Sequence, residues 1–288
     1  MLETRRLLKR KFSRESAALT ELYIVGLEKE ISECREQIKQ LESSYALRVA
    51  RRIPFGSQIR KLLASKRSHE MLICLTIDDG PSEKAGELLD YLMSKQIGAI
   101  LFCRGDHLQA REELAVRAIH DGHIIGNHSY DHPHFSTLSK EQARVQIART
   151  DELIDQIYLK SGVQRPAKYF RFPHGDGGAN NEAIETNQQL LREFGYWSPI
   201  HSPRRDWGWD VDVMDWRVEA SNAAQKLEFA KQRLKTLHPG AVLDLHDHSM
   251  NLEVGLFQSI CDSISELGFT FHTNKNLQDQ IMNHHPLG

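Results

Sequence analysis

Two periodicities divide this 288-residue chain. In the first stretch Ile24, Leu27, Ile31, Cys34, Ile38, Leu41 and Tyr45 follow one another at spacings of three and four, with Glu28, Lys29, Glu30, Arg35, Glu36 and Lys39 between them. That is a heptad seam of about three repeats, and it predicts either self-association through residues 24–45 as a short coiled coil or an amphipathic helix lying on the rest of the chain. Between Ala46 and Arg67 the apolar Leu47, Val49, Ile53, Ile59, Leu62 and Leu63 alternate with arginine and lysine around a Pro54-Phe55-Gly56 break. Such a basic amphipathic arm suits peripheral contact with an anionic membrane surface, or a solvated helix whose long basic side chains snorkel.

From Met71 onward short apolar runs alternate with helix-period segments, the pattern of successive βα units around a parallel sheet. Strands are predicted at 71–77, 98–103, 123–127, 168–172, 195–200, 209–214, 241–245 and 268–272. Helices are predicted at 83–96, 107–120, 139–159, 181–194, 221–237 and 252–267. Seven or eight such units suit a closed (β/α) barrel better than an open sheet. The expected organisation is therefore a helical N-terminal segment, 1–70, followed by an α/β domain, 71–288.

A chain of this length with 40% apolar residues can bury one sizeable core and carry an appendage. The net charge of -2 hides an asymmetry, since residues 1–70 hold 16 Lys and Arg against 9 Asp and Glu. A basic arm thus precedes an acidic body. The four cysteines lie far apart, at least two of them inside apolar runs where a thiol is a small buried hydrophobe, and they read as neither a disulfide framework nor a metal site. Met1 to Arg14 lacks the apolar stretch of a signal peptide and no run approaches a spanning helix, so the expected location is the cytoplasm or the inner membrane surface. Nothing resembles an aromatic-interleaved platform for nucleic acid.

Five polar clusters stand where apolar runs end: Thr76-Ile77-Asp78-Asp79-Gly80-Pro81, His128-Ser129-Tyr130-Asp131-His132-Pro133, Arg171-Phe172-Pro173-His174-Gly175, Asp212-Val213-Met214-Asp215-Trp216 and Leu243-Asp244-Leu245-His246-Asp247. In a barrel of parallel strands such ends gather at one mouth, where active sites form. The Asp78-Asp79 doublet with His128 and His132 offers a carboxylate and two imidazoles, three protein ligands that leave a fourth position for water, as in catalytic zinc sites. Adjacent carboxylates on an extended segment point to opposite sides, so one can bind metal while the other faces the water. His246 adds an imidazole, a side chain that ordinarily titrates near neutral pH and can give or take a proton there.

In content and order these clusters resemble the five motifs of the polysaccharide deacetylases, carbohydrate esterase family 4, and the resemblance spans roughly residues 71–275. It implies a distorted barrel of seven or eight strands and a divalent metal, zinc by preference, on Asp79, His128 and His132. It further implies Asp78 as general base and His246 as general acid. Asp215 is then expected to orient His246, Trp216 to wall the acyl pocket, and Arg171 to keep Asp78 ionised. Pro173 and Gly175 shape a loop whose His174 backbone N–H faces the oxyanion, and Pro173, Leu243 and Asp244 line the substrate pocket.

Asp244 departs from the pattern, since the family offers an aliphatic side chain two residues before this histidine and a buried unpaired carboxylate is costly. Residues 176–211 add Trp197, Trp207 and Trp209 with Arg204 and Arg205, suited to sugar rings or to packing the rim. The leading expectation is a metal-dependent hydrolase that removes an N-acetyl or other N-acyl group from an amino sugar in a glycan or its precursor. Two others are an amidase acting on a small or cyclic amide at the same site, and a non-catalytic coiled-coil partner protein in polysaccharide biosynthesis.

Overall fold

The computed structural model describes residues 71–196, 208–213, 215, 223–247, 254–275 and 277–284. The chain divides into two compact units, Met1–Lys66 and Arg67–Gly288. The predicted coiled coil at 24–45 and the basic arm fall outside the described residues, as do Trp197, Trp207, Trp216 and the rim arginines.

The described part is an α/β fold on a parallel sheet. Its strands are β1 (Leu72–Asp78), β2 (Ala99–Cys103), β3 (Ile124–Asn127), β4 (Val211–Asp212), β5 (Val242–His246) and β6 (Thr270–Phe271). They lie in the order β3-β2-β1-β5-β4, with β6 pairing the start of β1. The helices are α1 (Ala85–Lys95), α2 (Gly105–Ala110), α3 (Glu112–His120), α4 (Lys140–Ser161), α5 (Asn181–Glu193), α6 (Ala223–Leu234), α7 (Val254–Glu266) and α8 (Leu277–His284). Among the described residues no helix is long and apolar enough to cross a membrane.

Strand alternation sorts the central strands into two faces. Ile73, Leu75 and Ile77 of β1 join Leu243 and Leu245 of β5 in the main apolar core, against Leu88 and Leu92 of α1 and Phe257, Ile260 and Ile264 of α7. The intervening Thr76, Asp78, Asp244 and His246 share the other face, with Thr76 opposite Asp244 and Asp78 opposite His246 in register. Leu243 therefore packs in the core with no exposed surface, and its expected place in the substrate pocket is corrected by the strand's own alternation.

Two predicted elements differ from those found, and one element found was not predicted. The single helix expected at 107–120 is two, broken at Arg111, where φ is -138° and ψ 44°. The strand expected at 168–172 reduces to one parallel bridge, Phe170 with Asn127. Helix α8, which was not predicted, buries Leu277 and Ile281 against the sheet. The longest helix, α4, begins at a capping box in which Ser139 Oγ accepts from the Gln142 N–H and the Gln142 side chain accepts from the Ser139 N–H.

Candidate active site

Because β1, β2, β3, β4 and β5 run parallel, their C-terminal ends lie at one edge of the sheet and carry the polar clusters there. Asp78 ends β1, His128 follows β3, and His246 ends β5. Register bonds carry on past the strands: the His128 N–H donates to Cys103 O at 2.9 Å and the Asp247 N–H to Asp78 O at 2.8 Å.

Asp79, His128 and His132 converge, their ligand atoms all within 4.8 Å of one another. Asp79 Oδ1 lies 3.1 Å from His132 Nε2 and 3.7 Å from His128 Nε2. His128 Nδ1 sits 2.9 Å from the Arg171 carbonyl, which accepts its proton and leaves the Nε2 lone pair facing Asp79. Burial pushes the His128 pKa well below the ordinary imidazole range, so the ring stays neutral, the form that ligates metal. One carboxylate and two neutral imidazoles, two of the three groups buried, fit a divalent cation. A second acidic group, Asp78 with Asp244 and His246, already holds a cation of its own, the Arg171 guanidinium.

Three of the turn residues have left-handed backbone: Asp79 (φ 72°), Ser129 (φ 64°) and His132 (φ 65°). Asn127 secures the histidine turn. Its Oδ1 accepts the Ser129 N–H at 2.8 Å, and its Nδ2 donates to Ile147 O at 3.0 Å and to Tyr196 Oη at 2.7 Å. The Tyr196 hydroxyl then donates to Asp151 Oδ1 at 2.7 Å, a carboxylate also held by Arg165 and Lys168. On the other side His107 Nδ1 donates to Asp79 O at 2.7 Å, and Asp247 Oδ2 accepts the Ser82 N–H at 2.8 Å. Gly80 is required by that arrangement, since a Cβ there would come within 2.9 Å of Asp247 Oδ2. Asn127, His107, Tyr196 and Asp247 were not assigned roles from the sequence; only Asp247 carried a signal, its place in the last cluster.

Arg171 has no exposed surface and serves two carboxylates through one nitrogen: Nη1 donates to Asp78 Oδ1 at 2.7 Å, to Asp244 Oδ1 at 2.5 Å and to Thr76 Oγ1 at 2.9 Å. The arginine expected to serve Asp78 thus divides its charge between Asp78 and Asp244. Burial pushes both the Asp78 and Asp244 carboxyls up, and Arg171 opposes the rise in each. Asp78 Oδ2 lies 3.5 Å from His128 Nε2, beside the triad.

Asp215 holds His246 by both oxygens, Oδ2 accepting the backbone N–H at 2.9 Å and Oδ1 lying 2.8 Å from Nδ1. Burial disfavours the charged ring, but Asp215, then Asp244 and Asp78, push its pKa well above the ordinary range. Pro173 and His174 form a tight turn with His174 at φ 57°. The His174 ring packs 4.3 Å from His132 and stacks on His134 at 3.9 Å between centroids. Among the described residues its backbone N–H makes no hydrogen bond.

A family model for polysaccharide deacetylases matches residues 65–196. Over that stretch the chain is similar to the polysaccharide deacetylases. The peptidoglycan-N-acetylmuramic acid deacetylase PdaA of Bacillus subtilis is 27% identical over 212 residues, 72% of this chain and 72% of that protein. A family 4 carbohydrate esterase from Streptomyces lividans, solved with acetate, superposes with a TM-score of 0.54 at 25% identity, over 71% of this chain and 94% of that one. A family 4 pseudoenzyme from Bacillus anthracis shares the fold, with a TM-score of 0.54 at 22% identity over 71% of this chain and 64% of that one. The deacetylase fold alone therefore does not decide activity, and the residues must.

Proposed function

We propose that this protein is a metal-dependent hydrolase that removes an N-acetyl or other N-acyl group from an amino sugar in a glycan or glycan precursor. The observation that carries the reading is the placing of two acid–base groups about one cation site. Asp78 Oδ2 stands beside the Asp79, His128 and His132 donors, and His246, braced by Asp215, ends the neighbouring strand.

A divalent metal on Asp79, His128 and His132, zinc by preference, would supply Lewis-acid polarisation of the carbonyl and of the attacking water. Asp78 accepts the proton of that water, and Arg171 holds the carboxylate in place. The His174 N–H donates to the oxyanion, a contribution typically worth ~10²- to 10³-fold. His246 protonates the departing amine, and Asp215 keeps the ring turned and charged for that step. Trp216 and Pro173 would wall the acyl pocket. The parallel ladder and the Phe170 bridge support the expected distorted barrel of seven or eight strands around this mouth.

The buried Asp244 favours a second reading with the same chemistry, hydrolysis of a small or cyclic amide. Acetate release from N-acetylated oligosaccharides by zinc-loaded protein and by Asp78→Ala, with bound metal measured on the same samples, tests the proposal. Acetate lost in the variant while metal is retained supports it. Bound metal with no amide cleaved by the wild type overturns it.

A further inference from the structure

Asp244 shares a face with Asp78 and His246, and its two oxygens differ in what they meet. Oδ1 is committed, with Arg171 Nη1 donating at 2.5 Å and Thr76 Oγ1 3.0 Å away. Oδ2 is buried, has no hydrogen-bond partner among the described residues, and lies 4.0 Å from His246 Nε2. A buried carboxylate oxygen without a donor is costly, and a ligand that brings a donor to it recovers that cost.

At 4.0 Å separation a single heteroatom can stand within ~2.9 Å of both Oδ2 and Nε2. If His246 is the acid, as the proposed function holds, that atom is the leaving atom of the substrate. A leaving nitrogen carries a hydrogen to donate to Oδ2 while its lone pair takes the proton from Nε2. A leaving ester oxygen has no hydrogen, and its lone pairs would face the carboxylate.

We propose that Asp244 is a specificity-determining residue that selects amide over ester bonds by accepting the N–H of the scissile nitrogen at Oδ2. In the reaction the C–O bond forms from water and the C–N bond breaks. The water's proton passes to Asp78, and the Nε2 proton of His246 passes to the nitrogen. The nitrogen keeps its own hydrogen throughout, so its bond to Asp244 strengthens as positive charge builds there. This inference rests on the deacylase reading.

The test uses the full chain loaded with zinc and compares kcat/KM for an N-acetylated chitooligosaccharide and an O-acetylated xylooligosaccharide in wild type, Asp244→Leu and Asp244→Asn. In the asparagine variant Arg171 still demands an acceptor, so the amide oxygen takes the place of Oδ1 and the NH₂ that of Oδ2. That donor repels an N–H and welcomes an ester oxygen. The amide-to-ester ratio is expected to fall on the order of 10- to 100-fold in both variants, further in asparagine than in leucine. An unchanged ratio in both overturns the inference alone. Calorimetry on the wild type adds a test independent of how the variants fold: a free amino-sugar oligomer should bind on the order of 10-fold tighter than its hydroxyl counterpart. Equal affinities overturn the inference. A wild type that cleaves neither bond overturns the deacylase reading and this inference with it, and one that cleaves only the ester does the same.

Discussion

Asp215 grips His246 at two points, accepting the backbone N–H with one oxygen and facing ring Nδ1 with the other. The ring is thereby fixed in rotation and tautomer, with Nε2 turned to the side of Asp244. Asp215→Asn is expected to lower kcat on the order of 10²- to 10⁴-fold. The raised pKa of His246 also has a signed consequence. The acid form survives to higher pH in the wild type, so the basic limb of the rate profile should move down, toward ~6.5, in the variant. The same charge stabilises the fold fully below the unfolded-state value and ceases to do so as pH rises through the folded-state one. Rate profiles and thermal unfolding across that range check both.

Removal of bound metal should abolish activity and its return should restore it. His132→Ala, which removes one of three donors, should lose the metal from purified protein, as elemental analysis would record. Asp78→Asn should keep the metal yet lose ~10²- to 10⁴-fold in rate. An Asp78→Asn protein that comes out metal-free would show that this carboxylate is a ligand and not a base.

Tyr196→Phe should destabilise the protein by about 1–3 kcal/mol, because the lost hydroxyl joins Asn127 to Asp151 in a buried chain. The effect should reach the metal as well, since Asn127 secures the turn that carries His128. Denaturant unfolding measures the first effect and metal titration the second, where ~10- to 100-fold weaker binding is expected.

Gly126→Ala should be destabilising by about 1–3 kcal/mol. A Cβ there would meet the Phe102 ring at 2.7 Å, and the neighbouring strand backbone leaves little room to yield. A melting temperature equal to wild type would contradict the close packing of β2 on β3.

Much of this fold is legible because its central strands are continuous apolar runs that stop abruptly at polar clusters, so β1, β2, β3 and β5 stand out with their ends marked. The convergence of Asp79 with His128 and His132 follows from parallel strands ending at one edge. What is not legible depends on pairing across the fold. No glycine or proline announces the break at Arg111, and the 168–172 run reads as a strand although only Phe170 finds a partner. Asp244 stands out as a departure, but the buried arginine that holds it lies 73 residues away, and alternation, not motif content, sends Leu243 into the core. Helix α8 carries only a single i,i+4 apolar pair, too short a signal to register.

The left-handed backbone at Asp79, Ser129 and His132 bears on the energetics of ion capture. Each such residue costs roughly 1–2 kcal/mol, and hydrogen bonds hold the backbone there: His107 Nδ1 to Asp79 O, the Ser129 N–H to Asn127 Oδ1 and the His132 N–H to Ser129 Oγ. These bonds are made between the protein's own groups and involve no ion. A cation held there under the proposed reading would meet donors already arrayed, and its binding would cost little chain entropy.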